Sequence, residues 1–262
     1  MKTISIGYHD VYAQGPTAHN EVSDASNIYS LSHEQFCSHL RGIRDSACPV
    51  GTVDATCRWN GHAPVFLTFD DGALSAYSRI APELEKYGWR GHFFVVTDWI
   101  GKHGFLNRQQ ICELRQRGHV VGSHSKSHPE RMSELSQEEL MDEWEQSCGV
   151  LSSLLRQPVK IASVPNGYYN GDVGLAAAAA GIDVLFTSEP TASVGSVGGC
   201  VVLGRYFVRK HDSPSLSAGL AAGRVWPKWR QAIAWEVKKP VKKLAGMRYI
   251  TARRYLISKG LQ

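Results

Sequence analysis

Two adjacent carboxylates end an apolar segment in the first third of the chain. Asp70 and Asp71 follow the run Val65–Phe69 and precede Gly72. Adjacent acids point in different directions, so one can bind a metal ion while its neighbour accepts a proton. An Asp-Gly turn that caps a helix explains the same residues, and a bare Asp-Asp-Gly usually has that structural role. The chemical interpretation therefore needs a second element.

Two histidines four residues apart supply that element. His124 and His128 lie within Gly122–Pro129 and would face one point if this segment made a helical turn. Neutral imidazole is the commonest nitrogen ligand of zinc and related metals, although such a pair is as often merely solvated. Joined to an aspartate, the pair forms a His-His-Asp set that leaves coordination positions open for water and substrate, as a catalytic metal site requires.

These side chains need a framework of strands and helices to position them. Short β-rich runs alternate with apolar residues at helical spacing, which is typical of βα units and a largely parallel sheet. In a closed parallel barrel, catalytic groups collect at the carboxyl ends of the strands. Polar residues follow five of the predicted strands: His9, Asp70, Asp98, His124 and Asn166. The predicted strands are Ile4–Tyr8, Val65–Phe69, His92–Val96, His119–Gly122, Lys160–Val164, Asp183–Phe186 and Val201–Val208.

Helix signals lie between these runs. Ser136 followed by Glu139 fits a capping box, in which each side chain satisfies the other residue's backbone N–H. A further helix is predicted near His33–Arg44. We therefore expect an α/β fold.

The two motifs together resemble the polysaccharide deacetylases, the carbohydrate esterase family 4 proteins with a NodB-homology domain. The resemblance rests on TFDDG at residues 68–72, on the H-S-x-x-H pattern at residues 124–128 and on their separation. It implies a distorted (β/α)7 barrel over residues 1–222, in a divergent member of the family. It also implies that Asp71, His124 and His128 bind a divalent metal, most simply zinc, while Asp70 takes a proton from the attacking water.

Three family motifs are altered in this chain. Ser163 stands where many members have the arginine of Arg-x-Pro-Tyr, which orients the base. The tryptophan-bearing motif after the next strand is replaced by Thr187–Pro190, and the Leu-x-Leu-His motif is replaced around Val201–Arg205. The resemblance therefore leaves the base-orienting group and the general acid without an assigned residue.

Two other residues are candidates for these roles. His9 resembles the N-terminal histidine of the exopolysaccharide-deacetylase branch, and Arg205 could approach the pocket from the last strand. Each is equally well explained as a structural polar residue. The loop that keeps the family proline is predicted to bind substrate through Pro165, Asn166, Gly167 and Tyr168.

The resemblance implies a metal-dependent hydrolase that removes an N-acetyl group from an amino sugar in a glycan or a lipid-linked glycan precursor. Deformylation of an aminosugar, or another amide hydrolysis by the same groups, stays open. So does a non-catalytic protein that binds glycan or lipid on this fold. An iron oxygenase with the same ligand set is less favoured, because such sites usually use an antiparallel scaffold.

Composition narrows the class of protein further. The 262 residues are 43% hydrophobic and 20% charged, which excludes a disordered or collagenous chain. No run reaches the roughly 18 to 20 apolar residues of a spanning helix, and the N-terminus does not look like a secretory signal. Six scattered cysteines suit a reducing compartment. A cytoplasmic location is therefore expected.

The charge is concentrated at one end of the chain. Residues 223–262 hold eleven Lys or Arg and one acid, Glu236, so their net charge is +10, against −5 for residues 1–222. Trp226, Trp229, Ile233 and Val237 recur at helical spacing before Pro240. This pattern predicts a basic amphipathic helical tail that either binds an anionic membrane surface at the inner face of the membrane or packs on the barrel. Nucleic acid is not expected, because the body is acidic and carries no binding motif.

Overall fold

The computed structural model describes residues 2–13, 28–53 and 63–237. The strands are β1 (Ile4–Tyr8), β2 (Val11–Tyr12), β3 (Leu31–Ser32), β4 (Val50–Gly51), β5 (Val65–Phe69), β6 (His92–Val95), β7 (Val120–Ser123), β8 (Ile161–Ser163), β9 (Val184–Phe186), β10 (Val194–Val197), β11 (Cys200–Leu203) and β12 (Tyr206–Phe207). The helices are α1 (His33–Asp45), α2 (Ala81–Glu85, preceded by the π-helical segment Ala76–Ile80), α3 (Arg108–Gln116), α4 (Gln137–Leu155), α5 (Gly171–Ala179), α6 (Pro214–Ala221) and α7 (residues 225–237).

One curled sheet carries most of the strands. Its order is β10-β11-β9-β8-β7-β6-β5-β1-β12, with β4 paired to β5. Every described pair in it is parallel except β10 with β11. Strands β11 and β12 lie near opposite ends of this order yet are joined by two residues, so the chain closes the sheet on itself. The predicted distorted barrel of βα units is confirmed.

The last predicted strand is wrong in one respect. Val201–Val208 is two strands, β11 and β12, separated at Gly204 and Arg205. A Cβ on Gly204 would lie 2.4 Å from the carbonyl oxygen of Glu189, so only glycine permits this close approach. The N–H of Arg205 donates to that same carbonyl at 2.9 Å instead of pairing in the sheet. The other six predicted strands match observed ones to within one residue at each end.

The alternation of side chains along β5 sets the direction of the first carboxylate. Leu67 and Phe69 pack outward beneath the helices, while Phe66 belongs to the cluster inside the barrel. Thr68 and Asp70 continue the inner face of Phe66, since side chains two residues apart share a face. The interior cluster includes Phe66, Phe94, Val184, Phe186 and Leu203.

The helices cover the outside of the barrel. The predicted helix near His33–Arg44 is α1, and the predicted capping box of Ser136 and Glu139 begins α4. Helix α7 rests on the barrel, where Gln231 donates to the carbonyl oxygen of Phe207 at 3.0 Å. The second half of the predicted tail lies outside the described residues. Within the described ranges, no helix combines the length and apolarity needed to cross a bilayer.

Candidate active site

The two adjacent aspartates diverge at the carboxyl end of β5. Asp70 is 4% exposed and stays on the inner face. Asp71 and Gly72 both have a φ of 73°, in the left-handed region that Asp tolerates better than most residues. This turn directs the second carboxylate away from the first, as two separate roles require.

Asp71 meets both histidines of the second motif. Its Oδ1 lies 3.4 Å from Nε2 of His124 and 3.5 Å from Nε2 of His128. Ligand atoms 2.0–2.2 Å from a tetrahedral zinc ion are about 3.4 Å apart, so these separations fit three ligands of one ion. The three side chains fit a divalent metal by donor type as well as by distance, with two imidazole nitrogens and one carboxylate oxygen within 4.8 Å of one another.

The two histidines face one point without the helical turn that their spacing would have required on a regular helix. Residues 124–128 form an irregular loop in which Ser125 has a φ of 65° and His128 a φ of 60°. Two left-handed residues bend the chain so that both rings reach one point; the ring centroids are 5.2 Å apart. The loop is fastened locally, because the Oγ of Ser125 accepts from the N–H of His128 at 3.0 Å.

Glu143 on α4 holds this loop from outside, and the sequence reasoning missed it. Its carboxylate accepts the backbone N–H groups of Lys126 and Ser127, each at 2.9 Å, and the hydroxyl of Ser127 at 2.5 Å. Three hydrogen bonds to this one buried carboxylate fix the backbone between the two histidines. In the sequence, Glu143 looks like any helical glutamate.

The tautomer of His124 is set by a carbonyl behind it. Its Nδ1 lies 3.0 Å from the carbonyl oxygen of Ser163, so Nδ1 carries the proton that donates there. In the neutral ring, Nε2 then faces Asp71 with its lone pair, the arrangement that orients metal-binding histidines in general, whereas in the protonated ring Nε2–H donates to Asp71.

The pKa values of the two imidazoles are shifted in opposite directions. Burial lowers the pKa of His128 to about 4, which keeps that ring neutral and able to bind a cation. Burial also opposes protonation of His124, but the carboxylates of Asp70 and Asp71 outweigh it and raise the pKa of His124. A proton on His124 therefore competes with a metal ion for the same lone pair.

Arg205 reaches the site from the break between β11 and β12. Its side chain is fully buried, and Nη1 donates to Oδ1 of Asp70 at 2.7 Å. Nη2 donates to the hydroxyl of Ser163 at 2.7 Å, and that hydroxyl donates to the same Oδ1 at 3.3 Å. The Nε–H donates to the carbonyl oxygen of Thr187 at 3.0 Å, so all three guanidinium nitrogens are engaged.

Arg205 thereby makes with Asp70 the contact expected of a base-orienting arginine, and the hydroxyl of Ser163 accepts a hydrogen bond from the same guanidinium. Burial alone would raise the pKa of Asp70, but Arg205, followed by His124 and His9, lowers it below the ordinary value. The pKa of Asp71 is also lowered, since its hydrogen bond to His124 and the charges of His9 and His128 overcome the effect of burial.

His9 lies at the side of the site, beyond β1. Its ring stacks on Tyr29 with centroids 4.7 Å apart and contacts Phe207 at 5.3 Å. Burial lowers the pKa of His9, although Asp71 and Asp70 pull it upward, so the ring is neutral at pH 7. Its buried Nδ1 neither donates nor accepts a hydrogen bond within the described part of the chain. His9 is thus near both carboxylates with one ring nitrogen uncommitted.

The predicted substrate loop follows β8 as a short 3-10 turn, Pro165–Gly167. Asn166 has a φ of 56° and donates through Nδ2 to the carbonyl oxygen of Pro129, next to the histidine loop, at 3.3 Å. Gly167 has a φ of 69°, and a Cβ there would lie 3.2 Å from the ring of Trp235 on α7. Tyr168 packs against the guanidinium of Arg131 at 5.0 Å. The loop therefore joins the histidine loop to the last helix.

The fold and the site together define a parallel α/β barrel with a His-His-Asp centre beside a buried aspartate. The family model for polysaccharide deacetylases matches residues 60–185. This part of the chain is similar to the polysaccharide deacetylase family, and the resemblance predicted from the two motifs is confirmed.

Individual proteins are similar to this chain in sequence or in fold. The chain is 32% identical over 175 residues to YxkH, a polysaccharide-deacetylase homologue of Bacillus subtilis; the match covers 64% of this chain and 62% of the relative. Among solved structures, the Streptococcus pyogenes deacetylase PplD in complex with acetate superposes with a TM-score of 0.68 at 22% identity, covering 82% of this chain and 95% of that one. IcaB from Ammonifex degensii gives a TM-score of 0.67 at 24% identity, covering 84% and 97%. Both structures share the fold of this chain.

Proposed function

We propose that this protein is a divalent-metal-dependent N-deacetylase of an amino sugar in a glycan or a lipid-linked glycan. The observation that carries the proposal is that the two adjacent carboxylates at the end of β5 have different partners. Asp71 faces two imidazole nitrogens at 3.4 and 3.5 Å, while Asp70 faces a buried guanidinium at 2.7 Å. One carboxylate suits a cation, and the other is kept ionised to accept a proton.

Asp71, His124 and His128 would hold the ion. A divalent ion bound there supplies Lewis acidity, which polarises an amide carbonyl and makes water more acidic. His124 is kept in the required tautomer by Ser163, and the histidine loop is kept in shape by Glu143. Zinc is the simplest candidate, because two imidazoles and one carboxylate are a common zinc donor set.

Asp70 acts as the base. The attacking water gives up one proton to Asp70 as its oxygen bonds to the acyl carbon, and the C–N bond then breaks with a proton delivered to the departing amine. The lowered pKa of Asp70 keeps it ionised at neutral pH, so it is ready to accept. Arg205 positions the carboxylate and stabilises its charge. The products are acetate and a free sugar amine.

His9 is the candidate for the second proton transfer. It is a neutral imidazole near both carboxylates, and it has an uncommitted buried nitrogen. Such a ring can take a proton from Asp70 and pass it to the amine, which conserves protons over the turnover. The backbone at residues 166–168 is the candidate to stabilise the oxyanion and to contact the sugar.

Metal analysis followed by an acid-release assay tests the function. The purified full-length chain is expected to bind one divalent ion at this site and to release acetate from N-acetylated glucosamine oligomers or their lipid-linked forms. Formate release from N-formyl sugars without acetate release would favour deformylation. Glycan binding without release of either acid would favour a non-catalytic protein and contradict the proposal.

The proposed membrane association rests on α7. Trp226 is 69% exposed and Trp229 is 59% exposed, and Ile233 and Val237 extend the same row of side chains along the helix. The opposite side of α7 touches the substrate loop through Trp235. Because residues 223–262 are strongly cationic, we propose that this row enters an anionic lipid surface and brings the site close to a lipid-linked sugar.

A further inference from the structure

A second cluster of metal-binding side chains lies in the helical layer. His33 and Cys37 are four residues apart on α1, so they share one face of that helix. Glu83 reaches the same point from α2. The three ligand atoms lie within 4.8 Å of one another. None of these residues has a role in the proposed chemistry.

The distances in this cluster suit a tetrahedral ion. Sγ of Cys37 lies 3.6 Å from Nε2 of His33. A thiolate at about 2.3 Å and an imidazole at about 2.0 Å from a tetrahedral ion are about 3.6 Å apart. Nε2 of His33 is 2.9 Å from Oε1 of Glu83, which is about 0.5 Å shorter than the nitrogen-to-oxygen separation around such an ion. Binding would therefore require that this hydrogen bond open by about 0.5 Å, that the Cys37 thiol and the His33 Nε2 be deprotonated, and that Lys86 release Glu83.

One side of this cluster of side chains is open to solvent. The side chain of Glu83 is 11% exposed and that of His33 is 41% exposed, so a fourth ligand from solvent can complete the coordination. Lys86 donates to Oε1 of Glu83 at 2.7 Å, but its side chain is 64% exposed and held by this one pair. An exposed lysine can move away at little cost, so it competes with a cation without excluding it.

We propose that His33, Cys37 and Glu83 form a second metal site that fastens α1 to α2. A thiolate in the set favours thiophilic divalent ions such as Zn²⁺, Co²⁺ and Cd²⁺ over Mg²⁺ and Ca²⁺. The site is independent of the deacetylation proposed above.

Cobalt titration of the metal-free full-length chain tests the proposal. A thiolate ligand gives a sulfur-to-cobalt charge-transfer absorption, whereas the Asp71, His124 and His128 set contains no sulfur and cannot produce one. We expect this absorption to appear together with uptake of a second equivalent of Co²⁺. It should persist in the His124→Ala variant, which separates this proposal from the function of the active site.

Three variants make the test specific. Cys37→Ser should abolish the absorption, while Cys112→Ser, a matched control at a half-buried cysteine on α3, should retain it. His33→Gln changes a partly exposed side chain, so its folding is secure, and it should weaken Co²⁺ binding at this site at least about tenfold. Lys86→Gln should strengthen it about two- to fivefold. Absence of the absorption at saturating cobalt, its survival in Cys37→Ser, or unchanged affinity in His33→Gln would each overturn the proposal.

Discussion

The active site is assembled from two regions that differ in how they are encoded. At the end of β5, Asp70 and Asp71 are adjacent, and both belong to a recognisable five-residue motif. At the junction of β11 and β12, Arg205 stands in no recognisable motif, yet its guanidinium is fully buried against Asp70. Each metal-facing side chain therefore lies in a short sequence motif, whereas the charge that supports the base is supplied by a distant residue that only the fold brings close.

The largest effect is expected at the metal-facing half. His124→Ala removes one of three protein ligands, so metal affinity should fall by more than the roughly 10- to 100-fold that loss of a supporting residue costs. Metal content and activity are measured together, with circular dichroism as the check on folding. His103→Ala changes an exposed histidine and serves as the matched control. Equal metal content in both variants would remove His124 from the ligand set.

The next largest effect on turnover is expected at Asp70, the carboxylate that contacts Arg205. Asp70→Asn keeps the shape of the side chain but cannot accept a proton, so turnover should fall about 100-fold or more while metal stays bound. The variant also leaves the buried cation of Arg205 without its partner, which should cost about 3–5 kcal/mol of unfolding free energy. Chemical denaturation should show that adding Arg205→Met to Asp70→Asn restores part of this stability. Loss of metal in Asp70→Asn would mean that the two aspartates have exchanged roles.

A smaller effect on activity is expected from replacing Arg205 at the junction of β11 and β12. Arg205 lowers the pKa of Asp70, so Arg205→Met should raise it. Because Asp70 must be ionised to accept a proton, the acid limb of the kcat/KM profile should move to higher pH in this variant. At low pH, kcat/KM should fall about tenfold for each unit by which the pKa of Asp70 rises, and the difference from the unaltered protein should become smaller as the pH increases. Arg205→Lys keeps the charge and should leave the acid limb nearer that of the unaltered protein. A pH profile of Arg205→Met that coincides with the unaltered one would show that the guanidinium is only a structural contact.

The smallest effect on turnover is expected outside both regions, on α7. Replacing Trp226 and Trp229 by alanine should leave hydrolysis of a soluble substrate unchanged but weaken cosedimentation with anionic vesicles. Binding of the unaltered protein should also fall between about 0.1 and 1 M salt, as the screening length shortens from about 10 to 3 Å. Leu175→Ala, an exposed apolar residue on α5, is the control. Equal vesicle binding by the double variant and the control would contradict the membrane proposal.

The features of this protein that can be predicted from its sequence are those whose signals are short and local. The TFDDG and H-S-x-x-H motifs, the apolar strands and the capping box of α4 all depend on residues a few positions apart, where backbone geometry limits the outcomes. These features, together with the family resemblance that the two motifs carry, were enough to predict the barrel and the Asp71, His124 and His128 set. They were also enough to suggest Arg205 and His9 as alternatives, but not to choose a role for either.

The support of the site depends on contacts that exist only in the folded protein. Arg205 and Asp70 are separated by 135 residues, and the break that aims Arg205 inward depends on a close approach of Gly204 to the carbonyl of Glu189. The histidine loop brings both rings to one point without a helical turn, and hydrogen bonds to Glu143, on the following helix, hold the backbone between its two left-handed residues. Such contacts cannot be predicted from local pattern, since their free energy exists only when distant segments are already packed together.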